Sequence, residues 1–333
     1  MEVSTRNIAW YRTPVERETM KALNKRSDWK GLLQVGGHLT LIGLTATTAW
    51  HVKDQIYLLL PVLFLHGTFF VFLLNATHEL VHNSVFKTRF LNEFFLRLFC
   101  FMGWRGYISY WASHAEHHKY TLHPPDDLEV VLPLPLSLKS FLKSAVVDPW
   151  TFYATLKRTL QLSLGKLEGE WENYVCPPAA VEKRRTLYRW ARFLLLGHTT
   201  LIVLSFYCDL WLLPLLTTFA TFYGGWLRYL CNNTQHAGLK DDVTDFRLCT
   251  RTVILSPFVR FLYWHMNYHI EHHMYAAVPC YNLGKLHQQI SYDLPACPRG
   301  LVAAWKEIIS TLRRQKSDPA YQRVPELPPP LAE

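Results

Sequence analysis

Four histidine clusters concentrate the chemistry-bearing residues of this chain: His78-Glu-Leu-Val-His82, His114-Ala-Glu-His117-His118, Asn232-Asn-Thr-Gln-His236 and His269-Ile-Glu-His272-His273. Together they hold nine of the sixteen histidines. Within each cluster the spacings are i, i+3 or i, i+4, which place the imidazoles on one face of a helix. Neutral imidazole is a borderline ligand suited to Fe, Zn, Cu or Ni, so residue type alone does not choose the metal. Nine are too many for one ion. Shared between two ions, they leave each with four or five protein ligands and an open position. A closed structural zinc site would use four ligands, commonly with thiolates. No cysteine lies inside a cluster, although Cys231 abuts one.

The elements that must position these clusters read as membrane helices. Four stretches have about the 20 apolar residues a bilayer crossing takes: near 31–50, 55–76, 188–207 and 210–231. The second runs directly into the first histidine cluster and the fourth into Asn232. They form two hairpins with very short outer connections. Lys21, Lys25, Arg26 and Lys30 precede the first span, and Lys183, Arg184, Arg185 and Arg189 precede the third, whereas the outer connections carry only Lys53. The positive-inside rule then puts both termini and all four clusters in the cytosol. An open, imidazole-rich metal pair at the cytosolic mouths of two hairpins suggests oxygen activation against a lipid C–H bond.

Bulk composition agrees. Of 333 residues, 50% are hydrophobic and 14% aromatic, yet the mean hydropathy is zero, so long apolar runs alternate with strongly polar stretches. The net charge of +9 suits an anionic leaflet or an acidic partner. It does not suit nucleic acid, because the basic residues are scattered beside apolar runs rather than gathered into a patch. The seven cysteines are odd in number and lack CxxC spacing, as expected of free thiols facing a reducing compartment or buried in helices. Thirty largely polar residues precede the first apolar run, with acidic Glu2, Glu16 and Glu18 among them. A signal or transit peptide is therefore not expected, and the first span itself would target the membrane.

Between the hairpins, residues 84–101 set Phe86, Phe90, Phe94, Leu98 and Phe101 on one stripe with Lys87, Arg89 and Arg97 free to stay wet, and 136–167 has the same character. Two readings fit: helices lying in the membrane interface, or partly buried helices of a cytosolic cap.

The order HxxxH, HxxHH, HxxHH between two membrane hairpins resembles the membrane fatty acid desaturase and hydroxylase superfamily, over roughly residues 30–290. The resemblance implies a di-iron centre ligated by His78, His82, His114, His117, His118, His236, His269, His272 and His273. Asn232, one turn before His236, would hold an iron through water. The fold it implies is an all-α integral membrane protein: four transmembrane helices in two hairpins, with a helical cytosolic cap (77–187 and 232–290) holding the di-iron site. Residues 1–30 would be a cytosolic N-terminal segment, 31–290 the membrane domain, and 291–333 a cytosolic C-terminal helix and flexible tail.

The resemblance further implies two irons per chain, O2 as co-substrate and a fatty-acyl or related lipid substrate. No HPGG haem motif is present, so an external electron donor of ferredoxin or cytochrome b5 type is expected. The chain would be multi-pass in a bacterial inner membrane or the endoplasmic reticulum. Loss of two hydrogens would give desaturation; loss of one followed by oxygen rebound would give hydroxylation. The second box, SHAEHH, lacks the glycine-containing form of the alkane hydroxylases, which puts desaturation ahead of a lipid, alkyl-chain or carotenoid hydroxylase. A metal transporter or sensor is the distant rival, since transport sites belong near mid-bilayer on broken helices.

Supporting residues are expected around the ligands. Glu79, Glu116 and Glu271 would accept from the distal nitrogen of a histidine in a neighbouring box, fixing its tautomer. His265, at i−4 from His269, would lie on the same helical face as a supporting or pocket residue. Asp126 and Asp127 are further acceptors or donor-docking charges. Asn232 has a bland rival reading as a helix cap. His38, His66 and His198, alone inside spans, read as hydrogen-bonded contacts between helices.

Overall fold

Side-chain caps start many of the helices. The Glu16 carboxylate accepts from the amides of Glu18 and Thr19 to open α1 (Arg17–Leu23), and the Ser27 hydroxyl accepts from Lys30 N at 3.4 Å to open α2 (Asp28–His51). Each replaces an acceptor that the first helical turn lacks. In the computed structural model, which describes residues 6–329, these helices begin a fold with no strand among the described residues, only isolated bridges.

Residues 52–55 turn the chain into α3 (Ile56–Phe70), which packs along α2 and continues, after a turn at Val71 and Phe72, into α4 (Leu73–Val81). Next come α5 (Arg89–Met102), packed on α4, and α6 (Tyr107–Tyr120). A reciprocal Ser137–Ser140 capping box opens α7 (Leu138–Ala145), and Asp148 with Pro149 opens α8 (Pro149–Ser163). Short α9 (Glu170–Val175) leads to α10 (Val181–Tyr207), which lies along α8. The remainder is made of shorter pieces: α11 (Leu213–Leu216), α12 (Trp226–Asn232), α13 (Phe246–Cys249), α14 (Pro257–Leu262), α15 (His269–Met274), α16 (Cys280–Ile290) and α17 (Leu301–Gln315).

Among the described residues, two helical paths are long and apolar enough to cross a membrane: Ile56–Val81, of 26 residues, and Val181–Tyr207, of 27. Only 44% and 28% of their apolar windows are buried inside the protein, so most of that surface faces outward, with Leu196, Val203, Phe206 and Tyr207 exposed on α10. A core helix of a water-soluble domain would be mostly buried. α2 covers the 31–50 stretch without a break, but Gln34, His38 and its threonines dilute its apolar character.

The stretch at 210–231 differs from the single span expected. It is broken into α11, one 3-10 turn at Ala220–Phe222, and α12. The break is built from close backbone contact. Gly224 sits at φ +68°, where a Cβ would lie 2.5 Å from Thr68 N and 2.6 Å from Phe64 O; a Cβ on Gly67 would lie 2.4 Å from Tyr223 O. Both residues must lack a side chain for this segment to press on α3, and hydropathy alone does not carry that information.

The lone histidines of the spans tie helices together. His38 Nε2 meets Phe69 O while its Nδ1 accepts from Trp264 Nε1. His66 joins Thr45 to Leu216 O, and His198 joins Phe101 O to Thr218. Apolar side chains also stand exposed on the shorter helices, Phe90 and Phe94 on α5, Leu138 and Leu142 on α7, Trp150 and Tyr153 on α8.

The first and last described segments are tied to the body of the fold. Trp10 stacks on Phe246 at 4.1 Å and donates to Lys119 O, while Tyr11 and Thr13 donate to Asp293. The segment after α17, expected to be a free tail, is instead tied down: Gln322 Nε2 donates to Asp241 and Arg323 N to Gly238 O. Glu2 and residues 330–333 lie outside the described residues.

Candidate metal centre

Each cluster sits at the end of a helix. α4 carries His78 in its last turn and His82 as its C-cap, and α6 carries His114, His117 and His118 in its last two turns. α12 ends at Asn232, and the turn that follows holds His236. α15 carries His269, His272 and His273. Although the boxes lie far apart in sequence, their imidazoles converge into two groups. One comprises His78, His82, His114, His118 and His272; the other His117, His236, His269 and His273. Within each group one ligand atom per residue lies within 4.8 Å of all the others. The boxes on α6 and α15 are thus divided, each feeding both groups.

Neighbouring Nε2 atoms stand 3.2 Å apart for His82 and His114, 3.0 Å for His114 and His118, and 3.1 Å for His118 and His272. In the second group the separations are 3.0 Å for His236 and His269 and 3.1 Å for His269 and His273. Four of the opposite ring nitrogens are held by acceptors, His78 Nδ1 by Glu79, His114 Nδ1 by Glu129, His117 Nδ1 by Asp127 and His236 Nδ1 by Cys249 O, whereas His269 Nδ1 and His272 Nδ1 are buried without a partner among the described residues. An imidazole that donates from Nδ1 keeps its lone pair on Nε2, so these rings aim lone pairs at shared points. His78 Nε2 is sealed from solvent with no hydrogen-bond partner. Lone pairs crowded at 3.0 to 3.2 Å repel unless a cation sits among them. Adjacent nitrogens each about 2.1 Å from a common ion would be about 3.0 Å apart, which matches this spacing. The donor set therefore fits two metal ions, one per group.

Electrostatics point the same way. Burial holds His82 and His236 down to about 3, keeping both rings neutral and able to ligate. His117 is the exception. Burial lowers it, but the charge and hydrogen bond of Asp127, with Glu129 beyond, outweigh that and raise it. Asp127 is correspondingly held at about 2: its burial opposes ionisation, and His117 with the amides of Leu122 and Glu129 overcomes it. Metal binding at His117 therefore competes with the proton that Asp127 favours there.

A cavity of about 640 Å³ reaches the centre. His78, His114, His117, His236 and His269 form one wall, with Asn232 among them. Asn232 Oδ1 accepts from Asn75 at 3.4 Å. The cavity runs on between α8 and α10, where Leu162, Leu187 and Leu194 line it.

With that geometry in hand, a family model described as fatty acid desaturase matches residues 55–305. The chain belongs to the fatty acid desaturase family. No curated protein matches it. Membership makes it an oxidoreductase of a membrane-bound, di-iron family whose members act on lipid acyl chains and receive electrons from a separate donor. The two histidine groups are compatible with that metal chemistry.

In this desaturase-family chain the supporting carboxylates are not all where the spacing predicts. Glu79 accepts from His78, its own sequence neighbour, rather than from another box. Glu271 accepts from His287 and Thr252, neither of them in a metal group. Glu116 is half-buried, and no hydrogen bond joins it to an imidazole among the described residues. Besides Glu79, the carboxylates that orient box histidines are Asp127 and Glu129, in the loop after α6. Asp127 is readable from the HPPDD turn, but Glu129 carries no distinguishing signal.

His265 is also displaced from its expected place. Trp264 and His265 take φ +53° and +59°, so a turn separates them from α15 and the i−4 helical relation to His269 does not exist. His123 donates into its own loop, to the carbonyls of Tyr120 and Thr121.

Proposed function

We propose that the chain uses O2 and electrons from a separate protein to desaturate a fatty-acyl or related lipid chain at a di-iron centre. His78, His82, His114, His118 and His272 would hold one iron. His117, His236, His269 and His273 would hold the other, with Asn232 acting through water. The observation that carries this reading is the division of nine imidazoles into two convergent groups facing one long cavity. Bound iron would supply O2 activation and removal of hydrogen from an unactivated carbon. The protein's own part is positional. Asp127, Glu129, Glu79 and the Cys249 carbonyl fix ring orientation, and the cavity between α8 and α10 aligns the chain and excludes water.

The outward apolar faces of Ile56–Val81 and Val181–Tyr207 support membrane insertion; α2 and the broken 210–231 segment would complete two hairpins, and the basic residues before α2 and α10 would keep the centre in the cytosol. The exposed aromatics of α5, α7 and α8 would rest in the interface.

Hydroxylation is the second reading, favoured by the polar wall around the metal groups, where Tyr110, Glu129, Arg105 and Arg228 line the cavity and could hold a product hydroxyl. The test is purified, iron-loaded protein supplied with a reduced donor and a lipid chain. Reductant-dependent O2 uptake with loss of two hydrogens from the product supports desaturation, and gain of one oxygen supports hydroxylation. Metal flux across vesicles with no O2 uptake would overturn both.

A further inference from the structure

The cavity contains two guanidinium groups that the nine-histidine centre does not use. Arg105, in the turn between α5 and α6, and Arg228, on α12, both line it beside His78. They flank a single turn of α4: Arg105 Nη1 donates to Leu74 O and to Thr77 Oγ1, each at 3.0 Å, and Arg228 Nε donates to Asn75 Oδ1 at 2.9 Å. Arg105 also lies 4.1 Å over the Tyr110 ring. Other enclosed arginines have acid partners, Arg247 with Asp245 and Asp293, and Arg251 with Glu307. Among the described residues, Arg105 and Arg228 have no carboxylate within 4.0 Å. The nearby acids are already engaged, Glu79 by His78 and Glu129 by His114 and Ser113.

Two enclosed cations without an ion-pair partner are costly unless an anion joins them. Their remaining N–H groups are not among the sealed, unpartnered polar atoms, so they open onto the cavity. A neutral carbonyl offers one acceptor oxygen and no charge. A carboxylate or phosphate offers several oxygens, one for each guanidinium. Arg105 and Arg228 stand at the imidazole wall, whereas the far side carries a Leu162–Leu187–Ala191 cluster between α8 and α10 beside the already paired Arg158 and Glu172.

We propose that Arg105 and Arg228 form an oxyanion-binding pair that holds the carboxylate or phosphate of an amphiphilic substrate inside the cavity. The tail would lie between α8 and α10. The oxidised carbon is then near the charged end of the molecule, and a neutral acyl chain is a poor ligand. This rests on the cavity being the substrate site of the proposed oxidoreductase.

Trp104, Trp171 and Trp190 line the cavity, so bromine-labelled amphiphiles report binding by quenching their fluorescence. The probes are 12-bromododecanoate, 12-bromododecyl phosphate and 12-bromododecanol, added to the iron-loaded full chain in nonionic detergent. Wild type is expected to bind an anionic probe at least about 10-fold more tightly than the alcohol. Arg228→Gln and Arg105→Gln should lose about 30-fold or more in anion affinity with the alcohol changed less than about 2-fold, while Arg228→Lys, which keeps the charge but not the planar fork, should fall between wild type and Arg228→Gln.

Preference for the phosphate probe over dodecanoate supports the pair and assigns it a phosphate; the reverse assigns a carboxylate. Equal wild-type affinity for acid and alcohol overturns the proposal, as does equal weakening of both probes in the Gln variants. If a Gln variant loses iron or fails to fold, the wild-type ratio decides alone. Tight anion binding without any O2-dependent product upholds the pair and sinks the reaction assignment, whereas turnover of a neutral chain with no anion preference does the reverse.

Discussion

Asp127→Asn offers the sharpest perturbation of the two-group arrangement, because Asp127 touches only one group. Its Oδ2 accepts from His117 Nδ1 and from Leu122 N, each at 2.8 Å, and its Oδ1 accepts from Glu129 N at 2.9 Å. An asparagine can keep its oxygen at the Oδ2 position, preserving the first two bonds, but its amide then faces the Glu129 N–H, donor against donor. One hydrogen bond to a charged group is lost, which costs about 1.5–3 kcal/mol of stability. His117 also loses the negative charge that raises its basicity, and loss of such an outer partner weakens metal binding by about 10–100-fold, or roughly 1.4–2.7 kcal/mol. His114, in the other group, keeps its Glu129 acceptor.

The assay is iron per chain after dialysis against graded chelator. Wild type should hold about two irons and Asp127→Asn about one, lost from the four-histidine group. Glu129→Gln, which disturbs His114, should lose iron from the five-histidine group instead. Full retention by Asp127→Asn, or equal loss from both groups, would refute the division of the histidines.

Three further outcomes follow from the packing. Gly224→Ala forces a left-handed residue onto the α3 backbone; strain and overpacking together cost about 2–5 kcal/mol, and the melting temperature in detergent should fall by roughly 5 °C or more. His265→Ala should leave iron content unchanged, because a turn separates His265 from α15; loss of an iron would restore it to the centre. Trp10→Ala removes the Phe246 stack and the bond to Lys119 O, costing about 2–3 kcal/mol. Faster proteolysis before α1 with iron retained is the expected readout, and unchanged cleavage would count against the docked N-terminal segment.

The sequence made the ligand types legible but not their partition. Helical spacing puts His114, His117 and His118 on one face, yet the structure sends His117 to a different group from its two neighbours. That choice depends on how α6 meets α15 and the turn at His236, which is tertiary information. Hydropathy marked 210–231 as a span, but the contact of Gly67 and Gly224 that breaks it is a matter of backbone proximity between distant segments. The supporting carboxylates were misplaced for a related reason. Glu116 and Glu271 are close in sequence to ligands but project elsewhere, while Asp127 and Glu129 return from a loop 10 and 15 residues beyond their histidines. The φ values of Trp264 and His265 likewise overrode an apparent helical periodicity.

The central claim is that nine histidines hold two irons in unlike environments, one with five imidazoles and one with four. Mössbauer spectroscopy of the purified, 57Fe-loaded chain, combined with metal analysis, tests it most directly. The expected result is about two irons per chain in two distinguishable sites of nitrogen and oxygen ligation, with one signal selectively diminished in Asp127→Asn. A single iron per chain, a zinc-only protein, or two signals that fall together in that variant would contradict it.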